Sequence, residues 1–283
     1  KYDIQLREPV TVEIFPDQRD FAIRTFGLPG GAGFLGVCFG SVITANSPAS
    51  QGEQPSNWEA VLWHEFCHVV TLQKTNNKMP RWLSEGISVY EEKLANAGWG
   101  QSMSAGYREI ILGGGLTPVS QLSGAFLAPP SPLHLQFAYF ESSLVVEYLV
   151  EKYGLETLKR ILVDLSAGMP INESLQRYTG SLSLLDQEFE QFARQRAEQL
   201  APGLDFAAHE LPEEQDAATW NTWLQAHPDS YQGLHAYATW WMKQEKWEQA
   251  EKPLRRLLEL FPEDIDPGNA YQLLAIVLHH RGQ

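Results

Sequence analysis

His64-Glu65-Phe66-Cys67-His68 sets two imidazoles four residues apart, with a carboxylate between them, inside the apolar run Val61 to Val70. On an α-helix, residues four apart differ by about 40° around the axis and about 6 Å along it, so both imidazoles can reach one ion. Glu65 lies about 100° round the same helix, beside such an ion rather than on it. Two imidazoles suit zinc, and a carboxylate next to the metal is where a general base for an attacking water belongs. An open zinc site needs a third protein ligand and leaves a fourth position to water. Glu85, 17 residues after His68, can supply that ligand. Alone it would read as a solvated helix glutamate. A helix, a short turn and a second helix would instead return it to the histidine pair. The expected complement is one zinc ion per chain, held by His64, His68 and Glu85.

These residues need elements to position them. Ser56-Asn57-Trp58-Glu59 has the S-x-x-E form of a capping box and would start the helix carrying the histidines, which should end near Lys74 to Asn77. Pro80 suits the first turn of a second helix, running to about Leu94 and carrying Arg81-Trp82-Leu83-Ser84-Glu85-Gly86. A third helix is expected over about Leu133 to Lys152, closed by Gly154. Residues 95–130 read as loop with a short helix near Ala105 to Leu112, and further helices are expected at about 155–167, 171–178 and 183–199. Upstream, the alternation in residues 1–26, clearest at Val10 to Phe15, suggests strands. Pro29 to Gly33 reads as a turn, Phe34 to Thr44 as one β-prone strand, and Ala45 to Pro55 as a loop.

In this setting the chain resembles the gluzincin metallopeptidases of the peptidase MA-like group, related to M1 aminopeptidases and thermolysin. His64-Glu65-x-x-His68 followed by Trp82-Leu83-Ser84-Glu85-Gly86 is similar to the defining pair of motifs, and the likeness covers about residues 30–200. It implies zinc-dependent hydrolysis of peptide or protein substrates, with Glu65 as general base. Tyr139, in Tyr139-Phe140-Glu141-Ser142-Ser143, matches the tyrosine that donates a hydrogen bond to the tetrahedral intermediate. The strand from Gly33 to Thr44 resembles the edge strand along the cleft, so that Gly36, Val37 and Cys38 would meet substrate backbone; Gly36 and Gly40 would permit close approach. Exopeptidase relatives carry a G-x-M-E-N strand whose acid binds the free amine. Gly36-Val37-Cys38-Phe39-Gly40 has no acid, which weakens the aminopeptidase reading.

Other residues compete for roles. His134 could stabilise an oxyanion in place of Tyr139, but on one helix the two point about 140° apart. Glu91 and Glu92 could orient the histidines or be surface charge. Cys67 points about 100° away from His68 and reads as packing. Gly31-Ala32-Gly33-Phe34-Leu35-Gly36 spells G-x-G-x-x-G, yet a β-like run follows it where a dinucleotide fold needs a helix.

Composition bounds the rest. With 283 residues and 43% hydrophobic content the chain reads as a globular protein of two domains, and a formal net charge of −14 argues against a nucleic-acid binder. Two cysteines, Cys38 and Cys67, cannot form a disulfide scaffold. No apolar run is long enough to span a bilayer. Lys1-Tyr2-Asp3 reads as a processed or trimmed start with no signal segment visible, which leaves the compartment open, an extracytoplasmic one included. The fold class expected is α+β: a metallopeptidase domain over 1–200 with an N-terminal sheet and a helical remainder, a linker at 201–215, and an all-α region over 216–283. Tyr231 to Pro262 fits one tetratricopeptide-like repeat and Asn269 to Gly282 the start of another, which could hold a protein partner. A metal-binding pseudopeptidase scaffold working through those repeats is the alternative.

Overall fold

Asp17 accepts hydrogen bonds from the backbone N–H groups of Arg19 and Asp20, which is how a helix starts. The computed structural model, which describes residues 1–29, 34–52, 55–213, 216–266 and 268–282, accordingly has a helix α1 (Gln18–Phe26) where the alternation in residues 1–26 suggests strands. The strand signal holds only for β1 (Thr11–Phe15). Phe34 to Thr44 is likewise not one strand. β2 (Gly36–Phe39) and β3 (Val42–Asn46) form an antiparallel hairpin with Phe39 opposite Val42. Gly40 takes φ +66° in the two-residue turn, the conformation a type II′ hairpin needs at its first turn position. β3 also pairs with β1 in parallel, so the sheet order is β1-β3-β2 and β2 is an edge. Of the turn expected at Pro29 to Gly33, only Pro29 lies within the described residues.

Helix α2 (Trp58–Thr75) begins one residue later than the capping box suggests. Asn57 is the cap, its side-chain oxygen accepting from Glu59 and Ala60 N–H. The helix ends at Asn76, in the left-handed conformation at φ 51°. Pro80 immediately precedes α3 (Arg81–Ala95). Then follow α4 (Ala105–Leu112), α5 (Pro132–Tyr153), α6 (Leu155–Ser166), α7 (Ile171–Thr179) and α8 (Leu182–Glu198). α3 packs between α2 and α5. The second contact is unusually close: a Cβ on Gly86 would lie 2.5 Å from the Ser142 carbonyl oxygen. Any larger residue there would push α5, and Tyr139 with it, away from α3. Trp82, Leu83 and Ile87 on α3 and Val145, Val146 and Leu149 on α5 are buried, each side chain contributing roughly 1.5–3 kcal/mol by burial.

The chain divides into two compact units, residues 1–102 with 115–193, and residues 103–114 with 194–283. The first holds the sheet and most helices named so far. The second holds α4 and the helices α9 (Ala217–Ala226), α10 (Tyr231–Lys243), α11 (Trp247–Leu260) and α12 (Ala270–His280). Neighbours in sequence pack in space, α10 on α11 and α11 on α12. Leu234, Ala238, Ala250, Leu254, Leu257, Leu274 and Val277 make one apolar core between them. No described helix is long and apolar enough to cross a membrane.

Candidate metal centre and active site

His64 and His68 are one turn apart on α2, and their rings pack edge to face at 4.8 Å. Arg81, Glu85, Ser88 and Glu92 recur three and four residues apart on α3, so the helix offers one polar stripe, and most of it meets the histidines. Glu85 Oε2 lies 3.2 Å from His64 Nε2 and 3.3 Å from His68 Nε2. The opposite ring nitrogens are also held. His64 Nδ1 is 2.6 Å from Glu92 Oε1, and His68 Nδ1 is 2.8 Å from Ser84 Oγ and 3.3 Å from Ser88 Oγ. Ser88 Oγ also donates to the His64 carbonyl oxygen. With Nδ1–H of His64 donated to Glu92, each Nε2 can present its lone pair to the same small space as the Glu85 carboxylate.

That space needs positive charge. Burial disfavours the imidazolium of His64, yet hydrogen bonds to Glu85 and Glu92 outweigh it and push the pKa up to about 10. Burial by itself would raise Glu85, but hydrogen bonds from His64 and His68 hold it well below the ordinary carboxylate range. A proton on His64 therefore stands where a cation is wanted. His64, His68 and Glu85 bring one ligand atom each within 4.8 Å of one another, and two imidazoles with one carboxylate fit the ligand set of an open zinc site. Glu92 and the serines match the outer partners that orient zinc-bound histidines.

The trio lines a cleft of about 390 Å³ together with Glu65, Arg81, Tyr139 and residues of β2. Glu65 is buried, and its carboxyl is raised by that burial despite the neighbouring imidazoles. Gly36 explains how β2 comes so near: a Cβ there would lie 2.8 Å from Glu65 Cγ and 2.9 Å from Val61 Cγ1. Gly40, by contrast, sits in the turn with open space around it. Val37 and Cys38 line the cleft, and burial followed by the charge of Glu65 pushes the Cys38 thiol up to about 12.

Tyr139, from α5, lines the cleft, whereas His134 turns to the start of its own helix, 2.9 Å from Ser131 Oγ. The sequence motifs assign no role to Arg81. Its Nη2 donates to the Tyr139 hydroxyl oxygen at 3.0 Å and its Nε to Glu85 Oε1 at 3.3 Å, while the guanidinium lies over the Phe126 ring. The signal was present: Arg81 stands four residues before Glu85, on the same helical face. Of the two candidate orienting acids, Glu92 reaches His64. Glu91 faces elsewhere and accepts from Lys1 Nζ and the Tyr2 hydroxyl. Cys67 is buried and away from the cleft.

Residues 3–194, about two thirds of the chain, match the family model described as the Peptidase MA superfamily. The chain belongs to that superfamily, whose peptidase domain implies a metal-dependent hydrolase acting on peptide or protein substrates. No curated protein and no solved structure matches it.

Proposed function

We propose that the first unit is a zinc metallopeptidase of the gluzincin type, with His64, His68 and Glu85 as ligands, Glu65 as general base and Tyr139 as oxyanion donor. We further propose that residues 216–283, beyond a linker at 201–215, are tetratricopeptide-like repeats that hold a protein partner. The observation that carries the peptidase reading is the meeting of both Nε2 atoms at Glu85 Oε2, with both Nδ1 atoms already taken by Glu92 and Ser84.

Bound by this trio, zinc supplies a Lewis acid that brings the pKa of water towards about 7 and polarises the scissile carbonyl. Glu65 accepts the proton of the attacking water as its oxygen bonds to the carbonyl carbon. It returns that proton to the amide nitrogen as the C–N bond breaks. A carboxyl raised by burial suits both halves of this transfer. The Tyr139 hydroxyl, raised by its burial and by Glu85, stays protonated at neutral pH. Because Arg81 donates to its oxygen, its own hydrogen is left to point at the developing oxyanion. One edge of β2 pairs with β3, which leaves its other edge to the backbone of an extended peptide near Gly36, Val37 and Cys38.

Zinc analysis of the Glu85→Ala chain by mass spectrometry tests the ligand set. The expected result is loss of the active-site ion together with peptide hydrolysis, and an unchanged zinc content removes Glu85 from it. A zinc-loaded wild-type chain that cleaves nothing, yet binds peptides through residues 216–283, would favour the scaffold alternative.

A further inference from the structure

The helical unit carries a second convergence of metal-type side chains. Asp205, His209 and His227 each bring one ligand atom within 4.8 Å of the others, which among the described residues happens elsewhere only at His64, His68 and Glu85. Two segments build it, and the backbone holds them together. The Asp205 N–H donates to the Asp229 carbonyl at 2.8 Å and the Tyr231 N–H donates to the Asp205 carbonyl at 2.9 Å, forming an isolated parallel bridge between Asp205 and Ser230. This fixes the segment carrying Asp205 and His209 beside His227, the residue that caps the end of α9. The same segment is tied again further on, where Trp223 Nε1–H donates to the Glu210 carbonyl at 2.9 Å. The rings pack in sequence, each pair tilted by 38°, with Trp223 to His227 at 4.6 Å and His227 to His209 at 4.2 Å.

The carboxylate is oriented toward the histidines. Asp205 Oδ1 accepts the Ala207 N–H at 2.9 Å, which orients the carboxylate and turns Oδ2 to His209 Nε2 at 2.6 Å. Metal bonds of about 2.0–2.1 Å in a tetrahedral site put neighbouring ligand atoms about 3.4 Å apart, so small side-chain rotations are all the site requires. The Asp205 side chain is 43% exposed and that of His209 is 27% exposed, leaving a path for an ion and room for water to complete its shell. A simple histidine–aspartate ion pair would need one imidazole, and here a second packs against the first at 4.2 Å.

We propose that Asp205, His209 and His227 form a second metal site, for a divalent transition ion of the zinc class, which clips the segment before α9 to the end of that helix. Two imidazoles and a single carboxylate favour such an ion over calcium or magnesium, which want oxygen ligands. An ion held only by the folded unit stabilises it in proportion to its occupancy. This site stands whether or not the first unit is a peptidase.

The test is native mass spectrometry of the full chain, stripped by chelator and reloaded with zinc. Two ions are expected on the wild-type chain, one on His64→Ala/His68→Ala, and none once His227→Asn is added to that variant. His227→Asn alone should keep one ion. In the His64→Ala/His68→Ala chain zinc should raise the melting temperature, and Asp205→Asn, which can still accept from Ala207, should abolish the rise. Failure of the His64→Ala/His68→Ala chain to bind zinc would overturn the proposal, provided its circular dichroism matches wild type. An ion that survives His227→Asn in that background would overturn it equally, because its ligands would lie elsewhere.

Discussion

The two histidine–carboxylate clusters are built by different means. His64, His68 and Glu85 stand on two long helices in a half-buried seam, and each histidine has its far nitrogen held by a second residue. Asp205, His209 and His227 stand on an irregular segment and a helix end, nearer to solvent, with the carboxylate bonded to one histidine. Desolvation separates them. The seam strips water from three groups whose charges must then be balanced by a proton or an ion. The outer cluster can leave that task to solvent. The first arrangement therefore favours tight binding and chemistry, the second a weaker structural clip.

Changes at the seam should have the largest effects. Tyr139→Phe is expected to lower kcat about 10²–10³-fold with zinc content unchanged. Steady-state kinetics showing less than a tenfold loss would assign the oxyanion to another donor. Glu92→Gln should weaken zinc binding about 10–100-fold in a chelator competition, while Glu91→Gln, whose partners are Lys1 and Tyr2, should leave it at the wild-type value. Equal effects of the two would mean that their contribution is general charge rather than orientation.

Gly36→Ala should cost about 1–3 kcal/mol of stability, read from denaturant unfolding, because the new Cβ meets Glu65 and Val61. Gly40→Ala is strained through its positive φ but touches nothing, and should leave the zinc-dependent rate unaltered. Zinc uptake at pH 7 by the metal-free chain should release on the order of one proton from the first site, since His64 is protonated up to about pH 10 and must lose that proton to bind. Calorimetry in buffers of different ionisation enthalpy reads that number. Proton release falls as pH rises through 10. Finally, a stepwise chelator titration of the two-ion chain should empty the outer cluster first.

Much of the seam was legible because helices write their geometry into sequence. The four-residue spacing of His64 and His68 and the distance to Glu85 suffice once α2 and α3 are recognised; the capping box at Ser56 and Pro80 mark the starts of those helices, and Gly154 the end of α5, to within a residue or two. The N-terminal sheet was harder. A continuous apolar run from Phe34 to Thr44 conceals a hairpin whose only mark is Gly40, and α1 was hidden by alternation that ends at Asp17. Arg81 escaped because its partner Tyr139 is 58 residues away. Such a contact depends on how closely α5 approaches α3, and Gly86 fixes that approach without naming the side chains it brings together. The outer cluster is set by a two-residue bridge, which leaves no periodic trace at all.

Glu65 is expected to move the proton in peptide hydrolysis at a zinc held by α2 and α3. The most direct measurement is mass-spectrometric profiling of a peptide library digested by the zinc-loaded wild-type chain and by Glu65→Gln. Cleavage products from the wild type, and none from a Glu65→Gln chain that retains its zinc, are the predicted result. A Glu65→Gln chain that cuts the same bonds at the wild-type rate would contradict it.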